Sequence, residues 1–161
     1  MKAIIFASAL LFACPVLQPV FASPLSDVAG EAGVEWMIGS WATADGNVKV
    51  AYDWRLDKNA IGVKFAAGDR EAEGMIALKP GTTTAAYMAV DNQGGISKGE
   101  WSEYQGNPLL KTTHVSSEGE KKTAVEHIKV DAGTMKIKVY KLNDSGDPGD
   151  LLVELEMTRA K

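Results

Sequence analysis

The chain reads as an all-β protein, an antiparallel up-and-down β-barrel of about 8–10 strands preceded by a short N-terminal helix. From Gly39 onward, short runs alternate apolar and polar residues, and turn signals interrupt them at fairly even spacing. The links between runs are too short for βαβ crossovers, so neighbouring strands run antiparallel. A meander must also dispose of its two edges, and closing on itself removes both. A two-layer sandwich would call for longer cross-connections than these.

The opening residues have a different character. Met1 and Lys2 precede an apolar run from Ala3 to Ala13, and a looser stretch closes on Val20-Phe21-Ala22 before Ser23-Pro24. This pattern predicts a secretory signal peptide over residues 1–22, with small residues at the third and first positions before the cut. The apolar run is shorter than the roughly 20 residues a bilayer span requires. Pro15 and Pro19 would break a buried helix there. Leu11-Phe12-Ala13-Cys14 raises lipidation at Cys14 as an alternative, against which stand the bulk of Phe12 and the immediate Pro15.

Cleavage after Ala22 leaves 139 residues, expected to form a single domain over 23–161, and removes the only cysteine. With no disulfide available, stability rests on the core, and a chain of this length can hide about two thirds of the surface its unfolded form exposes. Export without disulfides points to a periplasmic or extracellular location. Sixteen basic and twenty-one acidic residues remain, a formal charge of −5. The lysines are interleaved with carboxylates and form no basic face, so nucleic acid is not an expected partner.

Residues Leu25 to Met37 predict the helix, with Ser26 or Asp27 as N-cap and with Gly30 and Gly33 weakening it. The clearest strand follows: Val48, Val50, Tyr52, Trp54 and Leu56 alternate with Lys49, Asp53, Arg55 and Asp57. Further runs are Ile61 to Phe65, Gly74 to Leu78, Ala85 to Val90, Ile96 to Tyr104, Leu109 to Val115, Thr123 to Val130, Thr134 to Leu142 and Leu151 to Thr158. Turns fall near Lys58-Asn59, Lys79-Pro80-Gly81, Asp91 to Gly95, Ser116 to Lys121, Asp131-Ala132-Gly133 and Asn143 to Asp150.

At the head of the meander stands Trp36-Met37-Ile38-Gly39-Ser40-Trp41, and its last strand finishes Glu156-Met157-Thr158-Arg159. A helical lead-in, Gly-x-Trp on the first strand and an arginine on the last resemble the lipocalin and wider calycin barrels. The resemblance implies that Trp41 plugs the closed end and that Arg159 packs across it, a cation–π contact of about 1 kcal/mol. Tyr52 and Trp54 on an aromatic second strand, the Gly-Gly hairpin after Asp91, and Trp101 on a later strand resemble exported bacterial lipocalin-like proteins of a domain-of-unknown-function family. That resemblance implies a fold and no activity.

The chemistry in the residues is sparse. No catalytic motif is recognised: the mature chain has no cysteine, its histidines are His114 and His127, and neither is read beside a Gly-x-Ser-x-Gly turn. Both fall in predicted strands, as surface or satisfied sheet residues; the sharper reading is a haem ligand of the kind some calycin-like barrels use. Glu71 and Glu73 share a strand face about 6.5 Å apart, within range of an inverting glycosidase pair, though such carboxylates usually just meet water. The loop Asn143 to Asp150 offers carboxylates for calcium but departs from the EF-hand pattern. No metal or cofactor is expected.

Inward parity with Val48 and Val50 places Tyr52 and Trp54 in the interior. With Phe65, Tyr87 and Trp101 they are the candidate ligand-contacting residues of a barrel that is either filled or holds one apolar ligand. Arg55 and Lys64 are expected outside. The function expected is therefore binding of a small hydrophobic molecule in the barrel. The alternatives are a filled structural or interaction module docking through Gly94-Gly95 or residues 143–150, and a barrel isomerase or cyclase without a recognisable motif.

Overall fold

The computed structural model describes residues 24–160, and the leader expected over residues 1–22 lies outside them. Helix α1 (Leu25–Glu31) and a 3₁₀ turn (Glu35–Met37) precede ten strands: β1 (Gly39–Ala42), β2 (Val48–Arg55), β3 (Ala60–Ala67), β4 (Arg70–Leu78), β5 (Ala85–Asp91), β6 (Ile96–Tyr104), β7 (Asn107–Ser116), β8 (Gly119–Lys129), β9 (Thr134–Leu142) and β10 (Pro148–Arg159). Each strand pairs antiparallel with the next, and β1 pairs with β10 to close the barrel. The all-β, up-and-down barrel with one short helix is thus as the alternation predicts.

Local details differ. Neither Ser26 nor Asp27 caps α1: Pro24 holds the N-cap position with φ −60°, and no side chain caps the helix. The proline's fixed φ supplies the helix entry that a capping side chain would otherwise stabilise. The helix stops at Glu31 because Gly33 turns left-handed at φ +66°, so Trp36 and Met37 reach β1 through a separate 3₁₀ turn. Strand β4 begins at Arg70, ahead of the predicted run from Gly74, and carries both Glu71 and Glu73. The tight link is Gly68-Asp69, where Gly68 takes φ +62° and allows Ala67 to pair with Arg70.

Register assigns the two faces. Tyr52 faces Val63, which faces Gly74, which faces Ala89. With their i±2 neighbours these residues line the inside. Val50, Tyr52, Ile61, Val63, Ile76, Met135, Ile137 and Met157 form the buried core, with Trp54, Tyr87, Trp101, Val139 and Leu155 packed on it. The opposite faces carry exposed ion pairs such as Lys64–Glu73 at 3.3 Å and Lys136–Glu154 at 3.1 Å. Among the described residues no helix is long and apolar enough to cross a membrane.

Two glycines on the inner face let the sheet coil tightly. A Cβ at Gly74 would lie 2.6 Å from the Met88 carbonyl, and one at Gly99 would strike the Lys111 carbonyl. Both obstacles are backbone, which cannot swing aside. Gly99→Ala is therefore expected to cost about 1–3 kcal/mol by forcing β6 from β7. Chemical denaturation checks it, and an unchanged midpoint would count against this packing.

Candidate functional site

The end of the barrel that carries α1 is built around Trp41. Its side chain is 1 % exposed, its indole N–H donates to the Met37 carbonyl at 2.8 Å, and Trp36 meets it edge-on at 6.3 Å. Arg159 lies directly across from Trp41 in the β1–β10 pair. Its guanidinium carbon sits 4.2 Å from the indole centroid, while its two terminal nitrogens donate to the carbonyls of Ile38 (2.8 Å) and Trp36 (2.9 Å). One side chain thus ties the last strand, the first strand and the helical lead-in together.

The middle of the barrel is filled. Tyr52 is buried, and its hydroxyl lies 2.8 Å from His127 Nε2, across 75 residues of sequence. His127 is 1 % exposed and packs on Trp101 at 5.1 Å between ring centroids. Burial pushes the imidazole down to about 4 and pushes the Tyr52 hydroxyl up. His127 is therefore an interior histidine and not a surface one, and Tyr52 already occupies its Nε2. His127 Nδ1 and the Trp101 indole nitrogen are both buried without a hydrogen-bond partner.

Between this filled layer and α1 lies a cavity of about 310 Å³. Leu25, Val28 and Ala29 of the helix and Ala32 at its C-cap form its roof, with Val34, Met37 and Ile38 of the lead-in; Ile61, Ile76, Ala85, Trp101 and Pro108 form its floor and walls. Glu35, Thr83, Glu103 and Asn107 bring polar groups to its rim. The helix covers the cavity because its buried face carries Leu25 and Ala29, and the Ser26 N–H donates to the Lys58 carbonyl in the β2–β3 turn at 3.2 Å. Of the five aromatic residues singled out from the sequence, Trp101 lines this cavity. Tyr52 is in the filled layer, Trp54 and Tyr87 pack on the core, and Phe65 is half-buried, facing Val50.

A second concavity of about 560 Å³ lies over Gly99, edged by the outward-facing Met88, Lys98, Glu100 and Lys111. It is charged and open. The remaining candidates are accounted for by ordinary surface chemistry. Glu73 pairs with Lys64, and the Glu71 N–H donates to the Asn92 side chain at 3.1 Å. In the loop after β9, the Asn143 side chain accepts from the Asp147 N–H at 2.9 Å, and the Asp147 carboxylate lies 3.5 Å from Lys111. Among the described residues no three His, Cys, Asp or Glu side chains stand close enough to hold a metal ion.

Sequence reading missed two polar centres. Glu126 is 2 % exposed although its parity is outward; Asn107 and Tyr140 each donate to it at 2.9 Å, and burial together with this carboxylate pushes the Tyr140 hydroxyl up to about 12. The other joins Asp91, Ser97 and His114 at the mouth opposite α1. Gly95-Ile96-Ser97-Lys98-Gly99 does read Gly-x-Ser-x-Gly, and the β6–β7 register sets Ser97 opposite His114. Ile96 to Gly99 run as extended strand after Gly95 and form no strand-to-helix turn, which is why the spacing from His114 carried no signal.

The class these features define is a closed ten-stranded antiparallel barrel, filled in the middle and capped at one end by a short helix over an apolar cavity. This is compatible with a lipocalin-like fold. No protein-family model matches the chain, and no curated protein matches it in sequence.

Proposed function

We propose that this protein is an exported, calycin-type carrier that holds one small apolar molecule in the cavity beneath α1. The observation that supports the reading is the cavity itself, roofed by Leu25 and Ala29 and floored by Ile76 and Trp101. Its volume stands at the small end of the range for ligand sites, roughly 300–1,000 Å³, so the ligand is a single ring system or a short acyl chain. Trp101 lines the cavity and its indole N–H is buried without a partner; a ligand acceptor that reached it would satisfy a donor whose isolation costs about 1–3 kcal/mol. Export rests on the leader read in residues 1–22, and mass spectrometry showing Ser23 as the first residue of the secreted protein is the expected check.

Titration with the fluorescent probe 1-naphthylamine, a single fused ring system, tests the binding reading. One saturable site is expected, weakened about tenfold or more in Ala29→Trp, whose indole fills the cavity from the helix side. Equal binding by wild type and a folded Ala29→Trp variant would place the probe elsewhere and overturn the reading. A second reading, a protein-docking module, is favoured by one feature of the outer wall. Val90, Ile96 and Val115 form a cross-strand row with 45–55 % exposure. Changing Ile96 to lysine leaves probe binding intact if the cavity is the functional site.

A further inference from the structure

The mouth opposite α1 has a different interior. Three neighbouring strands send polar side chains inward there: Asp91 closes β5, Ser97 lies on β6 and His114 on β7. Ser97 Oγ is 3.0 Å from His114 Nδ1, and Asp91 Oδ2 is 3.6 Å from His114 Nε2. The histidine and aspartate side chains are 19 % and 6 % exposed. The aspartate is fixed from behind, because its Oδ1 accepts from the Gln93 N–H at 3.0 Å and the Gly95 N–H at 2.7 Å, leaving Oδ2 toward the imidazole. Gly95 makes this approach feasible. A Cβ there would lie 2.6 Å from Asp91 Oδ2 and collide with His114 Cε1.

This order of groups has chemical consequences. In the tautomer with its hydrogen on Nε2, His114 accepts the serine proton at Nδ1, and Nε2, which has no hydrogen-bond partner, turns that hydrogen toward the Asp91 carboxylate 3.6 Å away, an arrangement that suits a serine nucleophile and its base. The connectivity is reversed between Nδ1 and Nε2 relative to the familiar serine hydrolases, and the roles are recognised by geometry and not by atom name. The cation nearest in register, Lys121, lies opposite His114 on β8 and is engaged by Glu118 at 3.0 Å.

We propose that Ser97, His114 and Asp91 form a nucleophilic site that hydrolyses small carboxylic esters at the mouth opposite α1, separate from the apolar cavity at the other end. Ser97 Oγ forms a bond to the acyl carbon while His114 Nδ1 takes the hydroxyl proton. The carbon–oxygen bond to the alcohol breaks, and His114 returns the proton to the departing alkoxide. Water then attacks the acyl-serine, giving a proton to His114, and the serine oxygen leaves and is reprotonated. The balance is ester plus water to acid plus alcohol, with no redox step. Ser97 and His114 touch the reacting atoms; Asp91 is a positioning residue.

A fluorophosphonate probe with peptide mass spectrometry of the full secreted protein tests the assignment. Label is expected on Ser97 above all other serines, and p-nitrophenyl acetate hydrolysis is expected to vanish in Ser97→Ala. His114→Gln should slow labelling about a hundredfold or more. Asp91→Asn keeps the Oδ1 acceptor that holds the hairpin but removes the charge, so it should slow labelling while leaving the melting temperature near wild type. Labelling of Ser97 at the level of ordinary surface serines, or at an unchanged rate in folded His114→Gln, overturns the proposal. Should His114→Gln fail to fold, the wild-type label position and Ser97→Ala hydrolysis still decide it. Neither readout depends on ligand binding beneath α1.

Discussion

Replacing Trp41 by alanine is expected to lower the unfolding free energy by about 3–5 kcal/mol, the range for removing a large aromatic from a packed core. The indole is 1 % exposed, so its removal leaves a cavity walled by groups that cannot collapse far. The Met37 carbonyl would lose its 2.8 Å donor, and Arg159 would lose the ring it covers. Because β1 is short and pairs with β10 through two residue pairs, Trp41–Arg159 and Ala42–Thr158, the loss falls on the seam that closes the barrel. Arg159→Ala should cost less, about 1 kcal/mol, because the guanidinium is exposed and its cation–π contact is worth little in water. Arg159→Lys should not restore it fully, since an ammonium lacks the planar fork that reaches two carbonyls at once. Urea denaturation of the three variants gives the ranking, and a Trp41→Ala midpoint equal to wild type would contradict the plug.

The second large effect is a loss of stability in mild acid. His127 is buried neutral, with its proton affinity pushed down to about 4 against 6.5 in the unfolded chain. Between those two values the unfolded chain binds a proton that the folded barrel refuses, so stability rises with pH through the window and falls as pH drops. The full difference amounts to about 3 kcal/mol once pH is below 4. His127→Gln keeps a hydrogen-bonding partner for Tyr52 and cannot titrate, so its stability should be flatter between pH 6.5 and 4 than that of wild type. Thermal melts across that range test this, and parallel curves for the two proteins would refute it.

Much of the architecture is legible in the residues because sheet periodicity is local. The alternation from Val48 to Trp54 assigns the inward face of β2 correctly, and the barrel follows from counting such runs and noting their short links. Arg55 and Lys64 lie outside, as parity requires. What is not legible depends on register between strands. Tyr52 meets His127 and Ser97 meets His114 through cross-barrel and cross-strand placement that no sequence spacing encodes. The glycines at 74, 95 and 99 read as weak strand positions or turn residues, whereas each marks a close approach that only the folded sheet reveals. The helix was legible as a helix; its role as a roof was not, since an amphipathic face does not say what it covers. For the same reason the aromatic residues on the inner face left a filled and a hollow barrel equally open, and did not say that the middle would be filled and the cavity displaced to one end.

The proposed carrier role requires this displaced cavity to receive an apolar ligand. Nuclear magnetic resonance of the ¹⁵N-labelled protein during titration with acetophenone, an apolar ring with one acceptor oxygen, tests it most directly. Saturable shifts are expected at Leu25, Ala29 and Ile76, accompanied by a downfield move of the Trp101 indole N–H as it gains a partner. Shifts confined to the outer wall, with the Trp101 indole resonance unmoved, would contradict it.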